Sequence, residues 1–280
     1  MPTAATPTTT TTMLGNVRRA LAGPAIADLR QAWQMLHVIA FLAASDLRAR
    51  YRRSVLGPFW MTLGTAAGTL GLGLVWSELL RMDRASFVPS LTAGLILWQL
   101  LSGTMTEAST TYGRQAALIR NLSIPLSMPP IQMVLKHLIN FVHNLPVLLA
   151  VVLLLDVPVT RYTLLVLPCL LLLAANLLWI TMLLSMLGAR FRDLEYVLTA
   201  AMPVLMFLSP VFYRPDYLPF SAHFIWFNPF SHLIELIRYP LLGTAPPGFV
   251  VLTNLLFCLG GWVATLWLFN AKRNRIAYWL

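Results

Sequence analysis

Six long stretches of the chain carry no charge and few breaks: 54–77, 85–106, 137–155, 162–189, 196–213 and 239–271. A helix crossing a bilayer needs about 20 predominantly apolar residues. Pro246 and Pro247 divide the last stretch, so its span is expected to begin near Gly248. The pattern therefore predicts six spanning helices, near 56–77, 88–112, 131–155, 162–188, 196–213 and 248–270. The fourth stretch holds twelve leucines. At about −0.5 kcal/mol per central leucine, insertion is favoured by up to about 6 kcal/mol, which Asn176 reduces without reversing.

The remaining segments carry other patterns. Residues 1–27 begin Thr/Pro-rich, without the apolar core of a signal peptide, and are expected to be a disordered tail ahead of one transmembrane domain over 28–280. Between 29 and 47, Leu29, Trp33, Leu36, Ala40, Ala43 and Leu47 recur at helical spacing. The charge-free part of this element is only 15 residues long, so an amphipathic helix lying in the membrane interface fits better than a seventh span. Residues 114–122 predict about two helical turns, stopped by Pro125. Residues 213–247 are apolar but broken by six prolines, which leaves room for short helices near 217–226 and 230–239 that dip back toward the membrane. Aromatic residues crowd the same segment. They serve either as an interfacial belt or as flat faces lining a mouth for sugar rings.

Composition agrees with this class. The chain is 58% hydrophobic and 11% charged, with a mean hydropathy of +0.71. A soluble domain carries roughly 25% charge, so an ordinary water-soluble globule is excluded. Of its 20 basic residues, 15 fall on the segments that place both termini on one side and five on the other, which predicts cytoplasmic termini. Cys169 and Cys258 lie within apolar runs and read as core residues.

Chemical motifs are missing. Neither Lys136 nor Lys272 follows a glycine, so there is no phosphate-binding loop. No metal-ligand or nucleophile signature occurs, and no cofactor is expected in this chain. An integral-membrane glycosyl- or acyltransferase would have only Asp216, His223, His232 and Glu235 to work with. Uphill transport would therefore draw on an ion gradient or another polypeptide. Within the spans, Glu107 can pair with Arg114, and Lys136 can snorkel. Lys136, Asn140, His143 and Asn144 form a polar stripe suited to interhelical hydrogen bonds. Gly64 and Gly68 allow close helix approach, either within the subunit or between copies.

Five segments carry a family resemblance: Arg50–Trp60, Leu118–Leu126, Ala189–Leu194, Ser209–Tyr213 and Asn228–Phe230. In that order the chain resembles, over about 30–275, the permease subunit of bacterial polysaccharide ABC exporters of the O-antigen, capsule and teichoic-acid type. The resemblance implies an all-α, six-span permease of the inner membrane, working as a homodimer with two separate ATPase subunits. Those partners would bind ATP and magnesium. The cargo would be a lipid-linked glycan, with a drug, lipid or small-molecule efflux permease as the alternative. The resemblance also implies ATPase coupling through Arg114, Leu118, Arg120 and Asn121 and through Arg190, Arg192 and Asp193. The gate would be built from the 217–239 pair, with the first and fifth spans flanking the pathway. Trp60, Phe207, Phe212, Tyr213, Tyr217, Phe224, Trp226 and Phe230 are the expected pathway and gate residues.

Overall fold

The computed structural model describes residues 23–57, 59–79, 81–122, 124–215 and 222–280, with the side chains of 222–224 left aside. Among the described residues the chain is helical, with no strand. In chain order the helices are α1 (Pro24–Gln34), α2 (Leu36–Arg50), α3 (Phe59–Leu79), α4 (Arg84–Ala108), α5 (Thr111–Arg114), α6 (Ala116–Asn121), α7 (Met128–Leu154), α8 (Val166–Arg190, entered by a 3-10 turn at Arg161–Leu165), α9 (Leu194–Leu208), α10 (Ala222–Phe227), α11 (Pro229–Leu241) and α12 (Gly248–Trp279).

Among the described residues, five helices are long and apolar enough to cross a membrane: α3, α4, α7, α8 with its entry turn, and α12. The stretch expected as the fifth span, 196–213, forms only the 15-residue α9. At 1.5 Å per residue that is about 22 Å, short of a hydrocarbon core of about 30 Å. The helix stops because Ser209, with ψ at 153°, precedes Pro210, and a residue before proline is forced out of the helical region.

The central helix is α4. Leu91, Ile96, Leu97 and Leu101 are among its fully enclosed side chains, and it packs against α3, α7, α8, α9 and α11. Helix α3 buries only Thr65, Thr69, Gly73 and Ser77, a row of small residues four apart. This row makes the close approach to α4, where a Cβ at Gly73 would come 3.3 Å from Val88. Gly64, Gly68 and Gly71 face away, with open space where a side chain would go. The glycine pair picked out in the sequence is therefore not used for packing within the subunit.

The amphipathic element is two helices, with Met35 between them, and its buried row is Ala25, Asp28, Ala32, Ile39, Ala43 and Leu47. Of the expected apolar face, Ala43 and Leu47 are buried, whereas Trp33 is 72% exposed. The small residues win because this face lies against α7, where little room remains for an indole. Asp28 fixes the placement. Its carboxylate accepts from the backbone N–H of Leu126 at 3.0 Å and of Ser127 at 2.8 Å, and from the Ser127 hydroxyl at 2.6 Å. These are donors that the start of α7 cannot satisfy from within the helix.

Helix α1 meets the last turns of α12 at one end of the bundle. The Ala25 N–H donates to Asn270 Oδ1 at 2.8 Å, and Arg273 donates to the Pro24 carbonyl at 3.3 Å.

Candidate functional site

At the end of the bundle where α1 meets α12, the connection from α4 to α7 folds into α5 and α6. The single two-turn helix expected at 114–122 is interrupted at Gln115. Tyr112 anchors α5 from inside: it is fully buried and its hydroxyl donates to the Leu126 carbonyl at 2.9 Å. Burial holds that phenol well above its usual pKa, with the Asp28 carboxylate adding to the effect. Helix α6, in contrast, has no buried residue; Arg120 and Asn121 are exposed and Leu118 is half-buried. A cavity of about 500 Å3 lies beside α5, lined by Arg114, Arg192, Glu195, Tyr196 and Trp279 among others. Arg190 stacks over the rings of Phe191 and Trp279, 5.9 Å from each centroid. Asp193 caps the start of α9 without a side-chain hydrogen bond and is exposed. Thus Arg114 and Arg192 line one cavity and Arg190 stacks on Trp279 of its wall, while Arg120 and Asn121 project on a separate exposed turn.

Just inside this end sits a charged cluster that the sequence showed only in part. Glu107 of α4 pairs with Arg114 at 3.3 Å, as expected, but also with Lys136 and, at 2.9 Å, with His137 Nε2. Lys136 does not snorkel. It is 7% exposed and committed to Glu107, because a carboxylate in reach on α4 outweighs the extended path to water. The His137 ring lies against Gly103, where a Cβ would come within 2.9 Å of it. Further along, Thr65 donates to Asn144 Oδ1 at 2.8 Å and Gln99 donates to Thr65 at 3.0 Å, so the polar stripe does join α3, α4 and α7. His143 turns aside to its own helix, bonding the Ile139 carbonyl at 2.8 Å.

The opposite end holds the aromatic groups. Phe212 stacks on Trp76 at 6.0 Å and lies 5.4 Å from Phe207. Tyr213 adjoins them, its hydroxyl donating to the Leu208 carbonyl at 3.4 Å. Phe230 packs on Trp98 at 5.6 Å, and Trp226 packs between His232 and Phe249. Tyr217 and the side chain of Phe224 lie outside the described residues. Trp60 does not join this group. It stands 16 residues from Trp76 on α3, about 24 Å away at helical rise, and is exposed. Trp76, Trp98 and Phe249 are the partners that sequence reasoning missed, since nothing in their local pattern marks them.

Beneath these aromatics, α11 is buried continuously from Ser231 to Arg238. Arg238 is 1% exposed, pairs with Glu235 at 3.2 Å, donates to the Tyr213 carbonyl at 3.0 Å and also reaches the Pro210 carbonyl. The segment expected to be apolar thus hides an ion pair that clamps the turn following α9. Gly94 of α4 admits this turn, since a Cβ there would come 2.9 Å from the Arg238 guanidinium. His232 donates to the Trp226 carbonyl at 2.9 Å. Of the four residues available to a transferase, His232 and Glu235 are therefore engaged in packing, and Asp216 and the His223 side chain lie outside the described residues.

Three curated relatives extend along most of the chain. An O-antigen export system permease protein RfbA of Klebsiella pneumoniae is 22% identical over 251 residues, 87% of this chain and 95% of that protein. One of Myxococcus xanthus is 25% identical over 185 residues, covering 66% and 71%. A second Klebsiella pneumoniae protein of that name is 20% identical over 206 residues, covering 72% and 78%. The sequence profile of the ABC-2 type transporter family matches residues 37–242, from α2 through the end of α11. With its long apolar helices and this match over most of its length, the chain belongs to the ABC-2 type transporter family and is a multi-pass membrane transport protein.

Proposed function

We propose that this chain is the permease subunit of an ATP-driven exporter that moves a lipid-linked polysaccharide, of O-antigen or capsule type, across the bacterial inner membrane. The observation that carries the reading is the likeness to O-antigen export permeases over most of the chain. Two copies form the conduit. The outward faces of α3, with Gly64, Gly68 and Leu70, and of α9, with Val204 and Phe207, support this because neither is covered within the subunit. A glycan's hydroxyls cannot enter hydrocarbon without a large desolvation cost, and a protein-lined path avoids it.

Two ATPase subunits, which bind ATP and magnesium, dock at the end carrying α6. Arg120 and Asn121 on that exposed helix and the arginines around the neighbouring cavity supply the contact. With 15 basic residues assigned to this side, it is cytoplasmic, and both termini lie there. In the membrane α9 completes a sixth crossing together with the turn that follows it. Helices α10 and α11 dip back from the far side, and the aromatic group around Phe207, Phe212, Tyr213, Trp226 and Phe230 forms the gate. Helices α1 and α2 lie along the cytoplasmic interface.

Deleting the gene tests the reading. Surface glycan should disappear while lipid-linked polymer accumulates inside, and the wild-type chain should restore display only with its ATPase. Unchanged surface glycan in the deletion strain, or activity of the purified permease alone, would count against it.

A further inference from the structure

A cleft between α2, α3, α4 and α7 lies apart from the aromatic gate, and only its outer mouth, at Arg114 and Leu118, borders the coupling end. Its inner portion, about 320 Å3, is lined by Arg50, Gln99, Ser102, His137, Asn140 and Asn144, among others. Its outer portion, about 630 Å3, is lined by Asp46, Arg50, Glu107, Arg114, Gln132 and Lys136, among others. Arg50 borders both. Glu107 stands at the division, one carboxylate oxygen on His137 and the other on Lys136 and Arg114. Gln99 and Asn144 are eight residues along their helices from Glu107 and Lys136. The inner portion therefore reaches about 12 Å further into the bundle. That places polar groups inside the spanning stretches of α4 and α7, where they are costly and mark sites of function.

The commitments of these groups are uneven. Gln99, Asn144 and Thr65 bond one another. Lys136 and Arg114 are held by Glu107, and Asp46 accepts from Gln132 at 2.7 Å. Arg50, Asn140 and, in the outer portion, Gln115 stand apart among the described residues, the last with a buried Oε1 that has no hydrogen-bond partner. Arg50, at the junction of the two portions, has no carboxylate partner. Asn140, 6% exposed, has a buried Oδ1 without a hydrogen-bond partner. A cation at the junction and an uncommitted amide deeper in, with the Ser102 hydroxyl and His137 ring between, complement a phosphate followed by hydroxyls.

We infer that this cleft is a subsite for the sugar-phosphate end of the lipid-linked glycan, with Arg50 taking the phosphate and Asn140, Ser102 and His137 taking ring hydroxyls. The inference rests on the export reading and adds a recognition site within each subunit, separate from any path between two copies.

The test uses the full chain in phosphatidylcholine nanodiscs with three probes: a prenyl diphosphate carrying one N-acetylglucosamine, the same prenyl diphosphate without sugar, and UDP-N-acetylglucosamine. Asn140→Leu should weaken the first about tenfold and leave the second unchanged, the loss expected when buried hydroxyls are left unpaired. Arg50→Gln should weaken both. Asn140→Leu should not lower the melting temperature, because it removes a buried amide with an unmet acceptor; a merely structural Asn140 would show the reverse. Wild-type affinity in both variants overturns the cleft assignment. So does equal affinity for the soluble nucleotide sugar, which would make the ligand a free sugar phosphate, and so does failure of the wild-type chain to bind any probe. Export itself is judged separately, and only intact surface glycan in the deletion strain counts against it.

Discussion

Replacing Arg238 by methionine keeps much of the side chain's volume and removes the charge that ties α11 to the turn after α9. The guanidinium is 1% exposed, and its loss strips Glu235, itself 2% exposed, of the counter-charge 3.2 Å away. The carbonyls of Tyr213 and Pro210 lose a charged donor at the same time. Breaking a buried pair from one side costs about 3–5 kcal/mol, most of it from the charge left behind. Replacing both partners, Arg238→Met with Glu235→Leu, removes that stranded charge and should recover most of the loss. The coupling between the two sites, read from a double-mutant cycle, should then be at least about 2 kcal/mol. The assay is reversible unfolding of the purified chain in mixed micelles, followed by circular dichroism. A single Arg238→Met variant destabilised by less than about 1 kcal/mol, or a double variant worse than the sum of the singles, would refute the clamp.

Three further outcomes follow from other contacts. Asp28→Ala should destabilise by about 2–3 kcal/mol, since three donors at the start of α7 lose a charged acceptor; limited proteolysis should show the chain freed ahead of α2. Gly188→Ala should cost about 1–3 kcal/mol in the same unfolding assay, because a Cβ there runs into the Ser109 backbone where α8 crosses the end of α4. Arg120→Glu should leave stability within about 0.5 kcal/mol, as α6 buries nothing. It should nevertheless abolish co-purification with the ATPase, and retained co-purification would remove Arg120 from the docking surface.

The two kinds of site differed in how much the sequence revealed. Arg120 and Asn121 could be singled out only through the family resemblance, since the helix that carries them, Ala-Ala-Leu-Ile-Arg-Asn, has no pattern of its own that marks a docking surface. The aromatic end was half visible. Phe207, Phe212 and Tyr213 stand close together along the chain, whereas Trp76, which stacks on Phe212, comes from a helix more than 130 residues earlier. Glu107 and Lys136 were visible as charges, but their pairing, and the addition of His137, needed α4 and α7 to be laid side by side. The burial of Arg238 was not legible, because charge alone does not tell whether a counter-ion three residues away is buried with it.

What the chain determined without any structure is its solvent. Long uncharged runs must lie in hydrocarbon or in protein, and periodic apolar positions can form helices there because only a helix satisfies its own backbone. Proline positions likewise set where a helix stops, as after Leu208, and where one starts, as at Gly248 behind Pro247. Which face of each helix is turned inward was decided only by packing. Nearly every side of an apolar helix can be buried, so hydrophobicity carries no direction. The choice fell instead to size and pairing: Thr65, Thr69, Gly73 and Ser77 turned inward rather than the glycines beside them, and Ala32 rather than Trp33. Those contacts join residues far apart in the chain, and their energies exist only once the helices have met.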